Sequence, residues 1–148
     1  VAKILPATEE NAREIFFCLR EEDQFEINCL GLSPEAAMRS VLADSDAWVG
    51  VAGGKVACVF GALPQDGLAP ARVWLLTTPL VEEHVVAFAR ASREVVDVLL
   101  RKHGGLEGWV LERNERSARW LAWLGFRFGE PFVLEPVGLV RKFEKWLL

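Results

Sequence analysis

The 148-residue sequence contains no tyrosine, although it holds six tryptophans and nine phenylalanines. No step in it can use a phenol as acid or base. Histidine is scarce: His84 and His103 are the only two, and no His, Cys and Asp fall at metal-ligand spacing. The three cysteines, Cys18, Cys29 and Cys58, are far apart and form no C-x-x-C pair. An odd, scattered set argues against a disulfide framework, so a reducing compartment, the cytoplasm, is expected. Apolar runs are short and broken by charge, so none should cross a bilayer as a helix. The stretch Val1 to Pro6 has no long apolar h-region and does not read as a signal peptide. Positive charge is not in excess either. Net charge is −4 with both signs mixed along the chain, which leaves no basic footprint for nucleic acid or an anionic membrane.

What the sequence does have is apolar bulk. Half of it is hydrophobic, enough for one sizeable core, and residues 1–148 have the size of one domain with no internal repeat or linker. Lys3-Ile4-Leu5 reads as a first strand. Thr8 can cap a helix in which Ala12, Ile15, Phe16 and Leu19 fall at helical spacing. Ser33-Pro34 opens a second helix running to about Leu42. Ala47 to Ala52 and Val56 to Ala62 read as strands around a Gly53-Gly54 hairpin. Val73 to Thr77 is an apolar strand. Thr78-Pro79 opens a long helix, with Val85, Phe88, Ser92, Val96 and Leu99 on one face and Gly104-Gly105 as its stop. Trp109 to Leu111 is the next strand. Asn114 caps a short helix closed by Gly125. Two last strands fit Phe132 to Leu134 and Leu139 to Phe143. This order predicts a mixed α/β sheet of about six or seven strands with helices on its faces. Val73–Thr77 and Trp109–Leu111 should be parallel central neighbours, because a long helix joins them.

That order resembles the GNAT (Gcn5-related N-acetyltransferase) fold. Two stretches carry the likeness: the opening Ile4-Leu5-Pro6-Ala7-Thr8-Glu9-Glu10-Asn11, and Asn114 through Leu124-Gly125-Phe126, where GNAT enzymes typically carry an Asn-capped helix ending in Leu-Gly-Phe. A closer resemblance is to a phage and prophage family of short GNAT-like proteins, which includes the internal virion protein of T-seven-like podophages. The shared features are Arg20-x-x-Asp23-x-x-Glu26 before Gly31, Trp48, Phe60-Gly61, Trp74-Leu75-Leu76 and Arg119-Trp120-Leu121. The resemblance implies a host-cytoplasmic or virion-associated protein, with a phage protein or a second copy of itself as partner.

A GNAT enzyme holds acetyl-CoA by its pyrophosphate on a loop reading Arg/Gln-x-x-Gly-x-Gly/Ala before the long helix. Glycines there let backbone amides reach the phosphates. The matching stretch runs from Pro79 to Ala87, with Glu82 in place of the Arg and Val85 in place of the first motif glycine. Two carboxylates in a helix first turn suit its dipole, but each would oppose a phosphate by about 1–4 kcal/mol at a separation of about 4 Å. The usual acid, a Tyr on the last helix, is replaced by Leu121, and loss of a general acid typically costs about 10²–10⁴ in rate. Val73 to Thr77 offers no base. The resemblance therefore implies either no cofactor or weakly bound acetyl-CoA, with Leu75, Thr77 and Asn114 as candidate cofactor contacts. Glu22, Asp23 and Glu26, after the first helix, are candidate catalytic carboxylates or amine contacts; the plainer reading makes them a solvated helix end, with Arg20 paired to Asp23. Two functions remain open. One is a catalytically degenerate GNAT-fold protein acting in binding or virion assembly. The alternative is a divergent acetyl-CoA-dependent N-acetyltransferase acting on an amine. The tryptophans add one expectation. Trp123 should be covered, either by Glu130-Pro131-Phe132 or by a partner, whereas Trp48 and Trp74 should fill the core.

Overall fold

The computed structural model describes residues 2–15, 18, 19, 21, 23, 33–44 and 46–147. After strand β1 (Ala2–Pro6), Thr8 caps helix α1 (Glu9–Arg13) in a reciprocal box. The Thr8 hydroxyl accepts from the Asn11 amide at 3.1 Å, and the Asn11 side chain accepts from the Thr8 amide at 2.7 Å, which satisfies two otherwise free donors. The Ser33 hydroxyl accepts from the Ala36 amide at 3.1 Å and starts helix α2 (Pro34–Asp44). Strands β2 (Asp46–Ala52) and β3 (Lys55–Leu63) turn at Gly53-Gly54. Both glycines have positive φ, 58° and 76°, as a tight hairpin turn demands. The chain continues through β4 (Ala71–Thr77), α3 (Leu80–Glu83), α4 (Val85–His103), β5 (Gly105–Leu111), α5 (Glu115–Trp123), β6 (Arg127–Phe128), β7 (Phe132–Leu134) and β8 (Gly138–Trp146).

Among the described residues eight strands form one mixed sheet in the order β1-β2-β3-β4-β5-β8-β6, with β7 also pairing β8. Helices cover both faces. Ala12, Ile15 and Met38 of the α1–α2 region pack on Val49, Val56 and Val59. On the opposite face Val96, Leu99 and Leu100 of α4 pack with Leu106, Val110, Phe126 and Phe143. Trp48 is half-buried and stacks on Phe60, and Trp74 is half-buried against the α1–α2 cluster, so both belong to the core margins.

Several details differ from the sequence expectation. The helix expected from Thr78-Pro79 is interrupted: α3 stops at Glu83, and His84 has φ −130° and ψ 38° before α4 begins. Val85 is therefore exposed rather than on the core face. Strand β5 starts at Gly105, four residues earlier than expected, and β6 adds a short strand. His103, at the end of α4, is pushed to a lower pKa by burial and by Lys102, which outweigh Asp46. Trp123 is covered on one ring face by the Arg93 guanidinium of α4, a cover the sequence did not suggest. The proposed pairing of Arg20 with Asp23 involves a residue outside the described set. Among the described residues no helix is long and apolar enough to cross a membrane.

Candidate functional site

Strands β4 and β5 are parallel neighbours, but only at their starts. Ala71 is in register with Leu106 and Arg72 with Glu107, and no pair follows. The stretches expected to pair, Val73–Thr77 and Trp109–Leu111, diverge instead. The carboxyl ends of two parallel strands thus open a wedge in the sheet, the usual place for a ligand in such sheets. Alternation along β4 tells which groups line it. The Thr78 amide goes to Ala57 on β3, at 2.9 Å, so the Thr77 amide turns the other way. The β3–β4 register is unbroken, so Val73 and Leu75 turn their main-chain polar groups the same way as Thr77, toward the wedge.

One of those groups is already taken. The Asp23 carboxylate accepts from the Thr77 amide at 2.9 Å and from its hydroxyl at 3.0 Å. Two residues singled out from the sequence, 54 positions apart, are thereby brought together. Asp23→Ala is expected to cost about 1–3 kcal/mol, the range for removing a buried group's partner. Asp23→Asn, which keeps an acceptor, should cost less. Urea denaturation of both variants reads the difference, and equal losses would mean that the acceptor is not what matters. Glu22 and Glu26 lie outside the described residues. Leu75 is half-buried beside the cluster of Ala57, Cys58 and Phe88. Asn114, at the far side of the wedge, is buried, and its side chain accepts from the Ser117 amide at 3.3 Å to cap α5.

The open end of the wedge is crossed by an ion pair. Glu82 of α3, which follows β4, is bonded to Arg116 of α5, which follows β5. The two strands that part in the sheet are thus rejoined by their trailing helices. Next to this mouth, Leu111, Glu112, Arg113, Val137 and Leu139 line a cavity of ≈310 Å³, and Glu112 is paired to Arg141 at 2.7 Å. Leu121, which the resemblance sets at the general-acid position, packs on the core. Cys58 offers no nucleophile: burial pushes its thiol up to about 12, so it stays protonated at neutral pH.

At the apex of the wedge sits a carboxylate the sequence reading missed. Glu107 is buried, its Oε1 accepts from the Gln65 amide nitrogen at 2.7 Å, and its Oε2 lies 3.0 Å from the Lys142 ammonium. Arg72 is stacked on Trp109, 4.2 Å from the ring centre. The only sequence signal was an acid in Gly105-Leu106-Glu107-Gly108, which reads as a loop. Burial raises the Glu107 pKa, but the hydrogen bonds from Gln65 and Lys142 and the charges of Lys142 and Arg72 outweigh it and hold it below its ordinary value. A carboxylate so depressed contributes stability above the unfolded pKa and loses it as pH falls through the folded one. Glu107→Gln should therefore destabilise by about 1–3 kcal/mol at pH 7, and the gap to the parent should narrow below the ordinary carboxylate range. Denaturation curves at both pH values test this; a gap that widens in acid would refute it.

Comparison with solved structures decides what this architecture is. The chain matches a GNAT-family acetyltransferase from Streptococcus pneumoniae with a TM-score of 0.67 at 11% identity, covering 99% of each chain. It matches an aminoglycoside acetyltransferase in complex with coenzyme A with a TM-score of 0.72 at 13% identity, over 99% of this chain and 95% of the other. A ribosomal-protein-S5-alanine acetyltransferase from Vibrio fischeri gives 0.71 at 13% identity, over 98% and 92%. The fold is GNAT. No protein-family model matches the sequence, and no curated protein does. Within the GNAT architecture, the residues present do not fit a CoA pyrophosphate. Glu82 and Glu83 lie in the stretch that the resemblance matches to the phosphate loop, Arg116 is engaged by Glu82, and Asp23 holds the Thr77 amide.

Proposed function

We propose that this is a catalytically degenerate GNAT-fold protein that acts by binding rather than by acyl transfer. The observation that carries the reading is the Glu82–Arg116 pair across the open end of the β4–β5 wedge. It puts a carboxylate, and a cation already committed to it, where an anionic cofactor would need free donors. The lack of tyrosine and the core position of Leu121 support the same reading. The resemblance to short phage and prophage proteins suggests its setting: virion assembly, with a phage protein or a second copy as partner, in the host cytoplasm or the particle.

Calorimetry with acetyl-CoA tests this directly. Binding is expected to be weaker than about 100 μM, toward the weak end of the ~1 μM–1 mM range usual for enzyme substrates. Low-micromolar binding would overturn the proposal. One feature favours a divergent N-acetyltransferase: the main-chain edge of β4 at Val73 and Leu75 still faces the wedge. In that reading Asp23 is the candidate base, and thiol release from acetyl-CoA with a panel of amines would be measurable. Absence of thiol release together with weak binding leaves the degenerate reading standing.

A further inference from the structure

A second concave site lies away from the wedge, where the end of α5 meets the middle of α4 and the end of β8. It encloses ≈380 Å³ and is lined by Arg93, Val96, Asp97, Trp123, Leu124 and Lys145, among others. Helix α5 has nine residues, so at about 1.5 Å per residue the site stands roughly 13 Å from the wedge mouth.

Trp123 is 48% exposed, a large aromatic half in water. The Arg93 guanidinium lies 3.8 Å from its ring centre. Among the described residues Arg93 has no hydrogen-bond or ion-pair partner, and Asp97, one turn further along α4, is not bridged to it. Stacking therefore fixes the plane of the guanidinium while its edge N–H groups remain available. Lys145 stands at the same site. It donates to the Leu124 carbonyl at 2.8 Å, which offsets the negative end of α5 and leaves further ammonium protons for a ligand. A guanidinium already held in plane loses little freedom on binding a carboxylate through two N–H bonds. Trp and Arg are also the residue types that dominate interface energies.

We propose that this pocket docks an acidic segment of a partner protein: one carboxylate on Arg93 and Lys145, and an adjacent apolar side chain against the exposed part of Trp123. Asp97 at the rim argues for a single carboxylate over a phosphate-rich ligand, because a doubly charged group or a nucleic-acid backbone would meet like charge. The half-exposed Trp123 ring beside the two cations argues for a peptide over a free ion.

The experiment uses the full chain, labelled with ¹⁵N, and a blocked peptide of two glutamates, a leucine and two glutamates. The expected result is a concentration-dependent shift of the Trp123 indole N–H signal and sub-millimolar binding by calorimetry. Arg93→Ala should weaken that binding at least tenfold, and Arg93→Lys should recover part of it. The glutamine version of the peptide should not bind. Arg93 is exposed, so circular dichroism should show the variants folded; if Arg93→Ala is not, Arg93→Gln takes its place. No Trp123 shift, or equal binding by the Arg93 variants, would overturn the proposal. So would tighter binding of inorganic phosphate or of a single-stranded oligonucleotide than of the peptide. None of these readouts depends on acetyl-CoA, so the wedge reading stands or falls separately.

Discussion

Glu82→Arg combined with Glu83→Gly is expected to strengthen acetyl-CoA binding at least tenfold. The pair change removes one carboxylate from the wedge mouth and reverses another. Each charge is worth about 1–4 kcal/mol to an anion about 4 Å away, and tenfold needs only about 1.4 kcal/mol. Arg116 gains as well, since Glu82 no longer engages it. Calorimetry should show the gain shrinking as salt is raised, because these charges are exposed to screening. No gain at any ionic strength would mean that the shape of the wedge, including the Asp23 side chain on Thr77, excludes the cofactor.

Gly61→Ala is the substitution expected to damage the fold most for its size. A methyl there would stand 2.5 Å from the Asp46 carbonyl oxygen and 2.7 Å from the Trp74 ring. The carbonyl belongs to the neighbouring strand and cannot swing away as a side chain can. Overpacking of this kind costs about 3 kcal/mol, the upper end of its usual range. For a domain of this length the melting temperature should fall by roughly 6–12 °C. Gly129→Ala is the control, since the nearest atom to its methyl would be 3.8 Å away; it should stay within about 0.5 kcal/mol. Thermal melts followed by circular dichroism compare the two, and equal melting temperatures would show that β2 adjusts freely.

Gly61 also marks the line between what could and could not be read from the sequence. Caps and turns were legible, because their chemistry is local. Thr8, Asn114, Gly53-Gly54, Gly104 and Gly125 all do what their residue types demand. Long-range contacts left no local trace. Gly105 and Gly108 look like a loop, yet Gly105 lies in a strand and leaves room for the Trp146 ring, which a methyl would approach to 2.5 Å. That is why β5 was expected to start late and why Glu107 was missed. The helix break at His84 has no glycine or proline of its own to announce it. The Asp23–Thr77, Glu82–Arg116 and Arg93–Trp123 contacts join residues far apart in the chain, and only the folded sheet and its helices bring them together. The candidate site was thus legible as a set of missing groups, whereas the groups that replace them were not.

The two register pairs between β4 and β5 also set how the molecule would bear load. Strands β1 to β4 are stitched by long antiparallel ladders, and so are β5 and β8. Tension applied between β1 and β8 must cross the seam between these leaves, where, among the described residues, Ala71–Leu106 and Arg72–Glu107 are the only strand register pairs. The seam should unzip before either leaf shears, with the exposed Glu82–Arg116 pair parting as it opens and the α4 crossover holding the leaves together. Under force the protein would behave as two stiff plates on a short hinge, yielding first at the wedge apex.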